Sequence, residues 1–378
     1  MKIGIITIHN SPNYGACLQS FALWKYIANL GHETEIIDLH RPHQADYVAS
    51  KRFTRSRETQ GYCLRAIKGK LKRMLGLSRP HRHLSDSAQA KFDAFNSQIR
   101  LSQPYRSIDN LYDNPPVYDI YISGSDQLWN PDQPFCLEPY FLTFAPQGKR
   151  KLSYASSVGI TKLTEQEKDS FGEWLKSYDA ISVRELQTKE LIETLVGKNV
   201  EQVADPTFLL NPSDWKSMAI PPKRDGYLLL FTLQYDRLLL NYARNLGKES
   251  GRKVVYLTAL QPESQEPDYE AVTNAGPREW LGLIGNAQMM ITDSFHGTVF
   301  SLIMGTSNFF TYIAPTNKRG IRITELLETY CLTDHLLSAD LDQTYDQLEA
   351  KMIDHKKVEN IMGNERNRSR QFLNDNLQ

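Results

Sequence analysis

The stretch "KIGIITIHNSPNYGACLQSFALWKYIANLGHETEIIDL", residues 2–39, decides the fold. Its opening "KIGIITI" is a continuous apolar run bounded by polar turn residues, the pattern of a strand buried on both faces. In "ACLQSFALWKYIANL" the apolar positions recur at helical spacing, Gly31 closes the run, and "ETEIIDL" is the next strand. A strand, a helix and a second strand in so short a span require a crossover into a parallel sheet. The fold class is therefore α/β.

The same alternation continues along the chain. A helix is predicted around 86–98, strands at 118–124, at "KLSYASSVG" and at "AISVRE", and a helix at "TEQEKDSFGEWLKSY". Over 203–226 proline density rises and periodicity lapses, as in a linker between domains. A second series follows, with strands expected at 227–233, 253–259, 287–293 and 308–314, and Pro277 opening a helix where its missing N–H costs nothing. These signals predict two Rossmann-like parallel-sheet domains facing a cleft. The expected divisions are 1–205, a linker at 206–226, 227–340, and a helical arm at 341–378. A length of 378 residues suits two cores of ordinary size.

Hydrophobic residues make up 40% of the chain and charged residues 23%, the balance of a soluble globular protein. No apolar run reaches a membrane span, and the first one is too short for a secretory signal, so a cytoplasmic location is expected. Cys17, Cys63, Cys136 and Cys331 are scattered, which signals neither a zinc site nor a disulfide framework. The net charge is zero, yet residues 51–83 hold eleven Lys and Arg against Glu58 alone. Within 64–77, Leu64, Ile67, Leu71 and Met74 recur at helical spacing among basic residues. Such a helix either lies on an anionic bilayer at the inner face of the membrane or packs its stripe on its own domain. Nucleic acid is disfavoured, because aromatic residues do not interleave the charges.

Four loops fall at predicted strand carboxyl ends: "HNSPNYG" at 9–15, "SGSDQLWNP" at 123–131, "SSVG" at 156–159 and "TDSFHG" at 292–297. In an open parallel sheet these ends line the ligand crevice. His296 is the candidate acid–base group there, since an imidazole exchanges protons near neutrality. Arg184, at the end of "AISVR", suits a carboxylate or phosphate, with a surface salt bridge to Glu185 or Glu190 as the competing role. Lys318, Arg319 and Arg322 open a helix, where cations oppose the dipole unless an anion lies between them. No Walker loop, no G-x-G-x-x-G and no H-E-x-x-H is present, and no cofactor or metal site is proposed.

In order, "NYGACLQSFALWKYI", "ISGSDQLWNP", "YASSVG", "SVRE", "VADPTFLL" and "ITDSFHGTVFSLIMG" resemble the polysaccharide pyruvyl transferase family, from residue 3 to about 330. The resemblance implies a GT-B-like pair of domains and transfer of the carboxyvinyl unit of phosphoenolpyruvate onto two sugar hydroxyls, forming a cyclic ketal. It implies that His296 is the active-site histidine and Arg184 a phosphoenolpyruvate ligand. The donor would lie against Ser294, Phe295, Gly297, Lys318, Arg319 and Arg322. Asn13, Tyr14, Gln19, Ser125 and Trp129 would face the sugar, with Asp126 accepting a hydroxyl proton. A lipid-linked acceptor is the further expectation, in keeping with capsule and exopolysaccharide biosynthesis. One position departs from the family pattern: typical members read Arg-Leu-His-Gly where this chain has Ser294-Phe295-His296-Gly297. Arg319 or Arg322 would then supply the missing charge, or the donor has changed. The rival readings are a GT-B glycosyltransferase using a nucleotide sugar, and a sugar-binding protein without catalysis.

Overall fold

The computed structural model describes residues 1–42, 44–50, 84–133, 135–233, 236–258, 269–317 and 320–378. Among these, the first half forms a six-stranded parallel sheet in the order β2-β1-β3-β4-β5-β6. Its strands are β1 (Lys2–Ile6), β2 (Glu33–Ile36), β3 (Ile120–Ser123), β4 (Arg150–Ser156), β5 (Ala180–Val183) and β6 (Val200–Gln202). The second half forms a five-stranded parallel sheet in the order β11-β10-β7-β8-β9. It comprises β7 (Leu228–Phe231), β8 (Val254–Leu257), β9 (Tyr269–Val272), β10 (Met289–Thr292) and β11 (Phe309–Thr311). Every named pairing is parallel.

The sheet orders explain where the site sits. In each sheet the first strand of the series is inserted between two later ones, β1 between β2 and β3 and β7 between β10 and β8. Connections leave such strands in opposite directions, so a crevice opens at their carboxyl ends. The helix Tyr14–Asn29 starts there after β1, and the helix Phe295–Met304 starts there after β10. Asn13 caps the first through Oδ1, which accepts from Gly15 N and Ala16 N. Ser294 caps the second by accepting from Gly297 N. These side chains satisfy N–H groups that a helix start leaves orphaned.

The two halves share a core. Tyr14 stacks on Trp280 at 5.2 Å between ring centroids and also meets Phe92 and Phe231. Trp215, fully buried, joins Phe21 of the first half to Phe300 of the second. The proline-rich stretch expected as a linker is therefore packed: Pro206–Leu209 form a short 3-10 helix, Pro212–Met218 a helix, and Thr207 through Leu210 are buried. The C-terminal helix His355–Asn376 straps this stretch in place. Ser369 Oγ accepts from Ala204 N, Arg366 Nε donates to Phe208 O, and Arg370 donates to Leu209 O. Among the described residues no helix is long and apolar enough to cross a membrane. The basic segment 64–77 lies outside the described residues.

Candidate active site

His296 lies in the first turn of the Phe295–Met304 helix and keeps only 9% of its surface exposed. Its Nε2 stands 3.4 Å from Asp205 Oδ2. The same oxygen accepts from Arg184 Nη1 at 2.8 Å, while Arg184 Nε donates to Glu185 Oε1 at 2.9 Å. Asp205 caps the Pro206–Leu209 turn, its Oδ1 accepting from Thr207 N and Thr207 Oγ1. One carboxylate thus joins the guanidinium that ends β5 to the imidazole that follows β10.

The electrostatics agree with that wiring. Burial alone raises the Asp205 pKa, but His296, Arg184 and the Thr207 N–H hold it well below the usual carboxylate range. Burial likewise opposes the charge on Arg184, and Glu185, Asp205 and Asp126 outweigh it to keep its pKa above the ordinary arginine value. An ionised Asp205 offers only acceptors, so it favours the imidazole tautomer with its N–H on the Nε2 that faces it, leaving Nδ1 on the other side of the ring. Nδ1 lies beside Gly15, at the start of the Tyr14–Asn29 helix. A Cβ at Gly15 would collide with the imidazole, so only glycine lets these two helix starts meet.

Two guanidinium groups share the Phe295 ring, Arg184 at 4.5 Å and Arg322 at 5.3 Å from its centroid. The Gln127 amide lies 3.1 Å from Arg322 Nη2 and 3.3 Å from its Nε, and with its oxygen turned that way it accepts from both. Arg322 reaches across from the Ile321–Thr329 helix to a loop of the first half. Asp126, next to Gln127, has a left-handed backbone with φ 77° and accepts from Gln127 N through Oδ1. Asp is one of the few non-glycine residues that adopt this region readily, which suits it to so tight a turn.

Several expected acceptor residues are turned inward instead. Trp129 is fully buried, stacked on Phe141 at 5.0 Å with its indole N–H donating to Tyr140 O, so it offers a sugar no open face. Gln19 is fully buried and donates to Thr7 Oγ1, Ile8 O and Ala16 O, bracing the turn between β1 and its helix. Ser125 is fully buried and donates to Ala155 O. Tyr14 donates to Ala275 O within the interdomain core. Gly297 packs against Thr292 and Met290, and Ser294 is spent on its helix cap. Lys318 and Arg319 lie outside the described residues.

Asp205 and Gln127 were not anticipated from sequence, whereas the Arg184–Glu185 pair was one of the two roles open to that arginine, and it is buried rather than on the surface. The signal for Asp205 is an Asp before a Pro, which equally describes any cap of a turn. Among the described residues no group of three or more His, Cys, Asp or Glu is placed to hold a metal ion.

A family model described as polysaccharide pyruvyl transferase matches residues 13–313. No curated protein matches the chain. Solved structures share its fold across their length. One described as trehalose-6-phosphate from E. coli bound with UDP-2-fluoro glucose aligns with TM-score 0.53 at 10% identity, covering 100% of this chain and 99% of that one. Arabidopsis thaliana UGT89C1 complexed with UDP aligns with TM-score 0.50 at 10% identity, with the same coverage. At this identity the likeness concerns the GT-B-like fold alone, with two parallel-sheet halves.

Proposed function

Because the chain belongs to the polysaccharide pyruvyl transferase family, we propose that it moves pyruvate from phosphoenolpyruvate onto a sugar of a cell-surface polysaccharide precursor, as a cyclic ketal. The observation that carries this reading is the pairing of Arg184 and Arg322 on one Phe295 ring, beside an imidazole wired to Asp205. Typical members have an arginine where this chain has Ser294, and Arg322 brings a guanidinium to the same corner from a different element.

Phosphoenolpyruvate carries a carboxylate and a phosphate and becomes electrophilic at C2 once C3 is protonated. Arg184 and Arg322 hold the anionic groups, and the N-terminal end of the Phe295–Met304 helix adds its partial positive charge. His296, protonated at Nδ1 and oriented by Asp205, delivers the proton to C3. One sugar hydroxyl adds at C2, Asp126 taking its proton and passing it to the departing phosphate, and the second hydroxyl closes the ring as its proton returns to His296. A lipid-linked acceptor, met at an anionic bilayer through the basic segment 64–77, belongs to the same proposal.

The test is ketal formation by wild type and His296→Ala with phosphoenolpyruvate and a panel of acceptor glycosides. Undiminished product from the variant removes the imidazole from the mechanism. Thermal stabilisation by a nucleotide sugar and none by phosphoenolpyruvate points to glycosyl transfer instead.

A further inference from the structure

A cleft open to solvent lies between the Ile321–Thr329 helix, the end of β6 and the C-terminal helix. Its walls include Phe295 and Asp205 but not His296. We propose that it binds a neutral sugar unit, and that this unit belongs to the acceptor and adjoins the one that reacts. The second clause rests on the function proposed above and the first does not.

Two buried donors in these walls have no hydrogen-bond partner. They are Arg184 Nη2 and Tyr330 Oη, on residues 7% and 2% exposed. A buried N–H or O–H left unmade is costly, so a pair lining one cavity marks where a ligand supplies the acceptors. The walls also settle what kind of acceptor fits. Arg184, Arg322 and Arg368 face four carboxylates: Glu185, Asp205, Glu325 and Glu365. Arg184 is already paired with Glu185 and Asp205, and Arg368 with Glu365 at 2.7 Å. A second anion here, beside the donor that Arg184 and Arg322 hold in the reaction proposed above, would meet no excess of positive charge. A polyol accepts from Arg184 Nη2 and Tyr330 Oη while donating to the carboxylates.

The remaining surface has the matching apolar component. Phe208 stacks on Tyr330 at 5.9 Å, and Phe295 and Leu326 complete an apolar wall suited to the C–H face of a pyranose. Burial and the nearby Glu185 raise the Glu325 pKa. Because Arg184 and Asp205 belong both to these walls and to the imidazole pair, an occupant of the cavity touches the groups that orient His296.

The experiment is saturation-transfer NMR on the full chain without phosphoenolpyruvate, using methyl glucoside, methyl galactoside and methyl mannoside, with inorganic phosphate and phosphoenolpyruvate as separate arms. At least one glycoside is expected to bind. Tyr330→Phe is expected to weaken it about fivefold to tenfold, the loss of one hydrogen bond, and Leu326→Trp to abolish it by filling the cavity. Tyr330→Phe removes one oxygen without altering the packing, so a failure of Leu326→Trp to fold leaves the test intact. The proposal is overturned if no glycoside binds, if Tyr330→Phe binds as wild type does, or if phosphate displaces the sugar. Sugar binding without any response to phosphoenolpyruvate overturns the reaction proposed above and leaves the site standing; the reverse overturns the site alone.

Discussion

Asp205 and His296, which follow strands of different sheets, stand 3.4 Å apart across the interdomain junction. The carboxylate is buried and also bonded to Arg184 and Thr207, so the imidazole rests on a fixed support rather than a mobile one. A ring held in that way presents one nitrogen in one direction, which is what proton transfer to a bound substrate requires.

Asp205→Asn should lower kcat for ketal formation by about 10²–10⁴-fold, the usual weight of an acid–base step, with a smaller change in KM. It should also destabilise the fold by about 3–5 kcal/mol, because the buried Arg184 charge loses a partner. Steady-state kinetics and denaturant unfolding measure the two effects. A variant with kcat within twofold of wild type removes Asp205 from the mechanism.

Gly15→Ala places a methyl against the His296 ring. The helix itself tolerates alanine, which favours helical structure over glycine by about 1 kcal/mol. Activity should therefore fall by at least tenfold while the variant remains folded by circular dichroism. Full activity would show that the ring and the Tyr14–Asn29 helix do not meet in the working enzyme.

Arg322→Gln should raise the KM for phosphoenolpyruvate by roughly tenfold or more, with kcat less affected, as expected for a lost charge-assisted contact to the donor. Arg322→Lys should recover part of the affinity, since it keeps the charge but loses the planar fork. Unchanged donor KM in both variants would place the donor's anionic groups elsewhere.

Acid sensitivity follows from two carboxylates. Burial raises the pKa of Asp38 as it does that of Asp205, but His9 at 3.0 Å and His40 at 3.4 Å reverse the sign and lower it. Both groups release protons more readily folded than unfolded, so their stabilisation is present above the unfolded carboxylate pKa of about 3.9 and is lost as pH falls through the folded values. Melting temperature should drop steeply from pH 5 downwards, and less steeply in Asp38→Asn. Parallel curves for the two proteins would count against this assignment.

Arg370→Ala with Ser369→Ala removes bonds from the C-terminal helix to both sides of Asp205. Melting temperature and kcat should fall together, with donor KM nearly constant. A fall in stability alone would confine the helix to a structural role.

The strand–helix alternation was legible because apolar runs and helical spacing are local properties that a residue shares with its near neighbours. β6 and β9 escaped notice for the same reason, being three and four residues long at sheet edges, with too little apolar surface to leave a pattern. His296, Arg184 and Arg322 could be picked out because their types are conspicuous at strand and helix ends.

Local pattern was enough to specify two parallel sheets and the polar loops at their carboxyl ends. Packing between elements set the rest: Asp205 bridging Arg184 and His296, Arg322 on Phe295, and Trp129 and Gln19 in the core. The physical reason is range: periodicity reports which face a residue shares with its neighbours along one element. The partner of a buried charge comes from a different element, brought to hydrogen-bonding distance only when the two sheets and the segment between them pack together.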